Sequence, residues 1–286
     1  MAINDKNMKN THQGLQSIQN DWNSIAESYD KFVTPTGNWA LPIEALHHAG
    51  LKPGMNFLDV ASGSGALSLP AARQGARVLA IDISPVMIEH LQKRAAEEGL
   101  SDLEVRLMDG HALELEDNTF DISGSQFGVM LFSDLKQGLR EMVRVTKPGG
   151  RVLMVAYGPP LEVEFLGIFI QAMKSVIPGF TGLPSDPPPL PFQAADPDVL
   201  RKRMEEVGLK DVQIHKSSEK LEFNSGIEMW NWVVHSNPIP AMLVRDLTDE
   251  QASEIQHILD QQIHLIAGDK LPAIISASVH IGIGIK

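Results

Sequence analysis

The chain has 286 residues, 43% of them hydrophobic and 21% charged, which is typical of a globular protein of one large or two modest domains. Its formal net charge of −12 argues against a nucleic-acid partner, because phosphate-backbone binding depends on clustered lysines and arginines. Since the sequence contains no cysteine, disulfides, zinc–thiolate sites and thiol nucleophiles are excluded.

Two segments of the sequence argue against a secreted or membrane-spanning protein. Residues 1–20 are polar and lack the apolar centre of a signal peptide, so we expect a flexible N-terminus. The apolar run EFLGIFIQAM, before Pro178, is shorter than the roughly 20 residues that a transmembrane helix needs. These features predict a cytoplasmic protein without a membrane span, and they leave open whether it is a monomer or a homodimer.

Two helices are predicted before the first strand. An amphipathic face at three- and four-residue spacing comprises Trp22, Ile25, Ala26 and Tyr29. A second helix over roughly 39–49 ends at Gly50. We expect residues 21–50 to form an N-terminal helical lid.

Strands and helices alternate over residues 51–156. The predicted strands cover residues 56–60, 77–82, 103–108, 119–125 and 151–156, and the helices cover 65–74, 85–98 and 134–146. Short apolar runs such as FLDV and RVLMVA are typical of central strands in a parallel sheet with helices on both faces. The pattern predicts an α/β, Rossmann-like, doubly wound fold.

The remaining part, residues 157–286, begins with a proline-rich loop and then becomes mainly helical. A helix that begins near Asp196 leads to a strand at 212–216, residues 226–266 are predicted to be mainly helical, and a last strand covers 278–284. If both strands return to the core, the sheet has seven strands and is mostly parallel. We expect the helical material to form a substrate cap.

One helix of this cap carries two tryptophans. In GIEMWNWVV the spacing predicts a buried face, with Trp232 pointing elsewhere, towards a substrate pocket or a subunit contact. The residues assigned to the buried face are Ile227, Trp230, Val233 and Val234.

The loop ASGSG at 61–65 follows the first strand and predicts a ligand site. Small residues there let a ligand approach backbone N–H groups at the carboxyl edge of the sheet. No lysine follows as in a P-loop, and Ser68 stands where a dinucleotide fingerprint has its third Gly or Ala. By this loop alone, cofactor binding and a tight turn remain open alternatives.

Two carboxylates at strand ends add to this signal. Asp82, which ends the second strand, can accept the ribose hydroxyls that NAD and S-adenosylmethionine share. Its alternative role is a helix N-cap, which Ser84 could also fill. Asp109, after the third strand, can accept from an adenine amino group or form an Asp-Gly turn.

Four motifs together resemble class I S-adenosylmethionine-dependent methyltransferases. FLDVASGSG, AIDISPVM, MDGHALELEDNTFD and the KPGG turn occur in the order and spacing of that family. WNSIAESYD followed by LDVASGSG is especially similar to the ubiquinone/menaquinone-biosynthesis-like branch, over about residues 20–156. The resemblance implies transfer of a methyl group to a small molecule, with S-adenosylhomocysteine as the other product. The long segment 157–266 departs from that branch, so a quinone substrate is not carried over.

The resemblance also assigns residues to the cofactor. It implies that the first loop holds the methionine part, that Asp82 takes the ribose, and that Gln126 lies under the sulfonium. The full set of cofactor residues that it predicts is Tyr29, Asp59, Ala61, Ser62, Gly63, Gly65, Asp82, Ile83, Met87, Asp109, Gly110, His111 and Gln126.

Methyl transfer from a sulfonium is an in-line displacement that requires neither a nucleophilic residue nor a metal, and no metal-ligand set is indicated. No catalytic residue is assigned, although His111, His235 and His264 are candidate bases if the acceptor must lose a proton. Phe127, Trp232 and His235 are the candidate substrate residues, and the cap composition suits an apolar or aromatic acceptor. Two alternatives remain: a non-catalytic S-adenosylmethionine-binding protein, and a nicotinamide-dependent oxidoreductase, for which no Tyr-x-x-x-Lys pair is present.

Overall fold

A computed structural model describes residues 2–34, 39–184, 186–268 and 270–286, with side chains from residue 16 onward. Its strands are β1 (Asn56–Val60), β2 (Arg77–Asp82), β3 (Leu103–Leu107), β4 (Phe120–Gln126), β5 (Thr146–Tyr157), β6 (Lys210–Phe223) and β7 (Ala273–Ile285). They form one seven-stranded sheet in the order β3-β2-β1-β4-β5-β7-β6. The pairings among β1 to β5 are parallel, and β7 runs antiparallel to both of its neighbours. The predicted fold class is confirmed.

Helices cover both faces of this sheet. They are α1 (Ala2–Phe32), α2 (Ala40–His48), α3 (Ser68–Arg73), α4 (Pro85–Glu97), α5 (Leu135–Val145), α6 (Glu164–Val176), α7 (Pro197–Glu205), α8 (Gly226–His235), α9 (Pro238–Val244) and α10 (Asp249–Ala267). Local chemistry explains where α4 begins. α4 begins after Ser84, whose hydroxyl accepts from the backbone N–H of Met87, and Pro85 occupies the first turn. No helix in the described ranges is both long and apolar enough to cross a bilayer.

Three apolar clusters hold these layers together. One lies between the sheet and α2, α3 and α4, where Leu46 and Leu91 are fully buried against Phe57. The second lies on the opposite face, under α5 and α7. A third joins α6, α8 and α10 to the ends of β6 and β7, and it forms the helical cap. Because both faces are covered, the central strands are apolar along most of their length.

The structure differs from the sequence prediction in the first helix and in the last two strands. α1 begins at Ala2, so residues 2–20, which were expected to be flexible, continue the helix. A polar segment carries no apolar periodicity, so the sequence pattern alone did not indicate helix there. β6 and β7 are much longer than predicted, because they pair with each other from Lys210↔Ile285 to Phe223↔Ala273. This long ladder extends beyond the parallel core into the cap.

The prediction for α8 was wrong about Ile227, which had been assigned to the buried face. Ile227 is 47% exposed, whereas Trp232 is only 4% exposed. The other predicted core positions of this helix are buried as expected. Because α8 packs against α1, α6 and α10, most of its circumference is covered, and Trp232 meets Phe165 and Phe223 edge-on with ring centroids 4.9 and 6.1 Å apart.

Candidate functional site

A cavity opens at the carboxyl ends of β1, β2 and β4, where the strand order reverses between β1 and β4. Its empty space is about 1640 Å³, solvent at its mouth included. α1 and residues 33–34 and 39–42 form one wall, and β6 and α8 contribute the far end.

The small-residue loop after β1 forms part of the cavity wall. Ala61, Gly63 and Gly65 all have positive φ angles. A Cβ on Gly63 would meet nothing within 4 Å, so this glycine keeps the space in front of the loop open. A Cβ on Gly65 would lie 2.4 Å from Leu91 Cδ1, and Gly65 itself lies behind the lining. The first glycine therefore faces the cavity and the second allows close packing.

Asp82 connects the loop to the cavity. Its Oδ2 accepts from the Gly63 N–H at 2.8 Å, and its Oδ1 accepts from the Ser84 N–H at 2.9 Å. The side chain is 8% exposed, and burial raises the pKa of Asp82 despite these two hydrogen bonds. Ser84 supplies the cap of α4, so Asp82 is left to hold the loop and face the cavity.

Asp59 lies elsewhere. It is 1% exposed, it accepts a hydrogen bond from the Ser68 hydroxyl, and it does not line the cavity. Burial raises the pKa of Asp59 to about 7, although the Ser68 hydrogen bond opposes this. Its contact is with the first residue of α3, so it supports the loop from behind.

Asp109, Gly110 and His111 form one end of the cavity. The Asp109 Oδ1 accepts from the His111 backbone N–H at 2.9 Å and lies 2.9 Å from its Nδ1. Burial disfavours the ionised Asp109 carboxylate, but the bonds with His111 outweigh it and lower the pKa of Asp109. The His111 ring stacks on Phe132 at 4.2 Å. A Cβ on Gly110 would lie 2.6 Å from that phenyl ring, so the turn requires glycine.

Several buried polar atoms around the cavity lack a hydrogen-bond partner in the described part of the chain. They are Ser62 Oγ, His111 Nε2, Gln126 Oε1 and Glu219 Oε2. Each of these residues lines the cavity. Buried polar groups are normally paired, so unpaired ones on a cavity wall are suited to bind a polar ligand. The loop, Asp82 and the unpaired atoms of Ser62, His111 and Gln126 together fit an adenosyl cofactor, which carries ribose hydroxyls, an amino acid group and an adenine edge.

α1 closes over this edge. Tyr29 lines the cavity, and burial, together with the charges of Glu219 and Asp82, raises its pKa to about 12. Asp30 forms an ion pair with Arg94, whose Nη1 also donates to the carbonyl of Ser64 at 3.0 Å. Further along, the Gln19 side chain donates to the Ile83 carbonyl at 2.8 Å. These contacts tie the helix to both sides of the loop.

The substrate candidates separate into two groups. Phe127 and Trp232 line the cavity, and the Phe127 ring stacks on Tyr157 at 4.5 Å. His235 does not line it, since its ring stacks on Phe32 at 5.3 Å and burial lowers its pKa. Of the other candidate bases, His111 lines the cavity and His264 is an exposed residue beside Asp260. Within the described ranges no group of three or more metal-ligating side chains is arranged to hold a metal ion.

Glu219 on β6 is a cavity residue that sequence reasoning missed. It lies on the same side of the strand as the buried Leu221 and Phe223, which follow it at two-residue intervals. Burial raises the pKa of Glu219 to about 7. The alternation in KSSEKLEF was the available signal, but the predicted strand ended at 216 and did not reach it.

Comparison with known proteins gives both a family match and a set of structural relatives. Residues 8–186 match the sequence model of the ubiE/COQ5 methyltransferase family. The uncharacterized protein Rv1405c of Mycobacterium tuberculosis is 33% identical over 188 residues. That match covers 66% of this chain and 63% of the relative, which is less than two thirds of its length.

Demethylmenaquinone methyltransferases also match, over a smaller share of this chain. The one from Deinococcus radiodurans is 33% identical over 59% of this chain and 72% of its own. Among solved structures, YcgJ from Bacillus subtilis superposes with a TM-score of 0.56 at 18% identity, covering 87% of this chain and 97% of that one. Phosphoethanolamine N-methyltransferase 2 of Haemonchus contortus also has a TM-score of 0.56, at 16% identity, over 91% of this chain and 56% of that one. These structural likenesses show the fold alone.

Proposed function

Because the chain belongs to the ubiE/COQ5 methyltransferase family, we propose that it transfers a methyl group from S-adenosylmethionine to a small apolar or aromatic acceptor. The family match confirms the resemblance predicted from the motifs, and S-adenosylmethionine is the cofactor of this family. The observation that carries the proposal is one continuous cavity, which leads from the loop beside Asp82 to an aromatic wall formed by Phe127, Tyr157 and Trp232.

The cofactor half of the cavity has a donor or acceptor for each part of the adenosyl ligand. Asp82 would take the ribose hydroxyls, and Ser62 and Gly63 would contact the amino acid group. Asp109 and His111 would flank the adenine, with Ile83 packed on its face. Gln126 would lie beside the sulfonium. In support, all of these residues line the cavity.

Two predicted residues would act from behind this half. Asp59 would stabilise the loop through Ser68, and Gly65 would let the loop pack on Leu91. Neither would touch the cofactor.

The acceptor half is apolar and aromatic. Phe127, Tyr157, Leu221 and Trp232 lie on its wall. Burial against such side chains favours an acceptor with an apolar or aromatic framework. α1 and the cap enclose this space, and an enclosed space favours a small-molecule acceptor over a macromolecule.

The proposed reaction is an in-line displacement. S-adenosylmethionine held beside Asp82 would supply a methyl group bonded to a sulfonium, whose sulfur is already an activated leaving group. The side chains of the aromatic wall would orient the acceptor atom towards that methyl carbon. α1, held by Asp30 and Arg94, would exclude water from the reacting atoms.

Calorimetric titration with S-adenosylmethionine, S-adenosylhomocysteine and NAD tests the cofactor. We expect both adenosyl ligands to bind and NAD not to bind. Asp82→Ala should weaken binding by about 100-fold or more, because charge-assisted hydrogen bonds worth about 1.5–3 kcal/mol each are lost. Asp102→Ala, an exposed aspartate in the turn before β3, is the matched control and should bind normally. Binding of NAD alone, or of no ligand, would refute the proposal.

A further inference from the structure

We propose that Glu219 binds the neutral O–H or N–H group of the methyl acceptor and takes its proton as the methyl group is transferred. This inference rests on the proposed function and adds a substrate class to it. It assigns a role to a cavity residue that lies outside the cofactor half.

The first argument is the position of Glu219 in β6. Residues 219, 221 and 223 point to the same side of the strand, and Leu221 and Phe223 are 1% and 0% exposed. Glu219 pairs in register with Ala277 of β7, next to the apolar interior of the cap. A carboxylate that precedes the buried Leu221 and Phe223 on one strand face opposes folding, and buried carboxylates of this kind cluster at functional sites.

The second argument is that no cation of the described residues pairs with this carboxylate. Its Oε2 is buried and makes no hydrogen bond to any described residue. The titratable groups within electrostatic reach are Tyr29 of α1 and Tyr157 of β5, and the charge of Glu219 raises the pKa of both, after burial. The cavity lining in the described chain includes Asp82, Asp109 and Glu219 but no lysine or arginine.

This charge distribution selects the acceptor. An acceptor with a phosphate or carboxylate would lie beside the Glu219 carboxylate, and the described lining holds no lysine or arginine to pair with it, so anionic acceptors are disfavoured. A neutral acceptor whose reacting atom carries a proton can instead donate a hydrogen bond from that O–H or N–H group to Glu219. The raised pKa of Glu219, about 7, suits a base that works near neutral pH.

The transfer step balances in charge and atoms. The heteroatom lone pair forms the new bond to the methyl carbon, and the carbon–sulfur bond breaks with its electron pair left on sulfur. The proton of the O–H or N–H group moves to the Glu219 carboxylate and later leaves to solvent. The two reacting charges, the negative Glu219 carboxylate and the positive sulfonium, are therefore both neutral after the transfer.

Binding of three matched probes to the S-adenosylhomocysteine-saturated protein tests the inference. The probes are naphthol, naphthylamine and a hydroxynaphthoate, each measured by calorimetry with the wild type, Glu219→Gln and Glu222→Gln. Glu222 lies on the same strand but is exposed, so its variant makes the same chemical change outside the cavity. We expect the two neutral probes to bind the wild type and Glu222→Gln, and the anionic probe to bind at least tenfold more weakly.

Glu219→Gln should bind the neutral probes at least tenfold more weakly, because a hydrogen bond to a charged acceptor is lost. For whichever neutral probe is methylated, the wild-type rate should rise with pH through about 7, and Glu219→Gln should lose this rise and about 100-fold in kcat. Unchanged binding in Glu219→Gln, tight binding of the anionic probe, or no binding of either neutral probe would overturn the inference. Failure of S-adenosylhomocysteine to bind the wild type would instead overturn the proposed function.

Discussion

Replacing Glu219 by glutamine should stabilise the protein at alkaline pH and leave it nearly unchanged in acid. Burial raises the pKa of Glu219 from 4.5 to about 7, so between these values the folded protein holds a proton that the unfolded chain has released. Folding is then favoured by proton binding at low pH. This contribution is fully present below about pH 4.5 and is lost as the pH rises through about 7.

The size of the effect follows from the shift. At about 1.4 kcal/mol per pKa unit, the carboxylate destabilises the folded wild type by about 3 kcal/mol at pH 8 and by about 1 kcal/mol at pH 5. The amide carries no charge at either pH, so Glu219→Gln should gain about 2 kcal/mol more at pH 8 than at pH 5. For a chain of this size that is roughly 4–8 °C in the midpoint of thermal unfolding.

Thermal unfolding of the wild type, Glu219→Gln and Glu222→Gln at pH 5 and pH 8 provides the assay. Burial also raises the pKa of Asp59 to about 7 and raises that of Asp82, so the wild type loses stability with rising pH from these groups as well. Comparing each variant with the wild type at the same pH isolates Glu219. An equal gain at both pH values, or a lower midpoint for Glu219→Gln at pH 8, would refute the electrostatic reasoning. The expected variant is more stable and less active, as is common when a functional charge is removed.

The remaining predictions concern the loop. Ser68→Ala removes the hydroxyl donor of the buried Asp59 carboxylate and should lower stability by about 1–3 kcal/mol, measured as a lower thermal midpoint; an unchanged midpoint would contradict this. Gly65→Ala should also lower the midpoint, because φ is +105° and the new Cβ would lie 2.4 Å from Leu91 Cδ1. Gly63→Ala should cost only about 1–2 kcal/mol, since its Cβ meets no protein atom. Gly63→Ala should nevertheless weaken S-adenosylhomocysteine binding at least tenfold. If both glycine variants changed stability and binding equally, Gly63 would not be the glycine that faces the cavity and Gly65 the one that packs on Leu91.

The central strands and the sheet edge that carries the cavity followed from local sequence patterns. The predicted strands at 56–60 and 77–82 coincide with β1 and β2. Their apolar runs are short, and helical segments separate them, so the sequence specifies a parallel sheet with both faces covered. The carboxyl ends of such strands share one edge, which is why a loop after β1 and a carboxylate after β2 meet across a single 2.8 Å hydrogen bond.

Which cofactor candidates face the cavity was not decided by those patterns. Asp59 and Gly65 belong to the same motif as Gly63, but both lie behind the loop. Asp59 contacts Ser68, and Gly65 packs against Leu91. A motif gives residue types at fixed spacing. Only the packing of α3 and α4 behind the loop determines which of those residues meets the ligand.

The sequence by itself determined the fold class, the family and the position of the small-residue loop, because these depend on short-range periodicity and on motifs within single βα units. The tertiary structure alone decided the acceptor half. Trp232 lies on the cavity and His235 lies on Phe32 because α1 crosses α8. Glu219 reaches the cavity because β6 pairs with β7 far beyond the core. These contacts join residues distant in sequence, and a periodic pattern reports which face of an element is turned inward but not what that face meets.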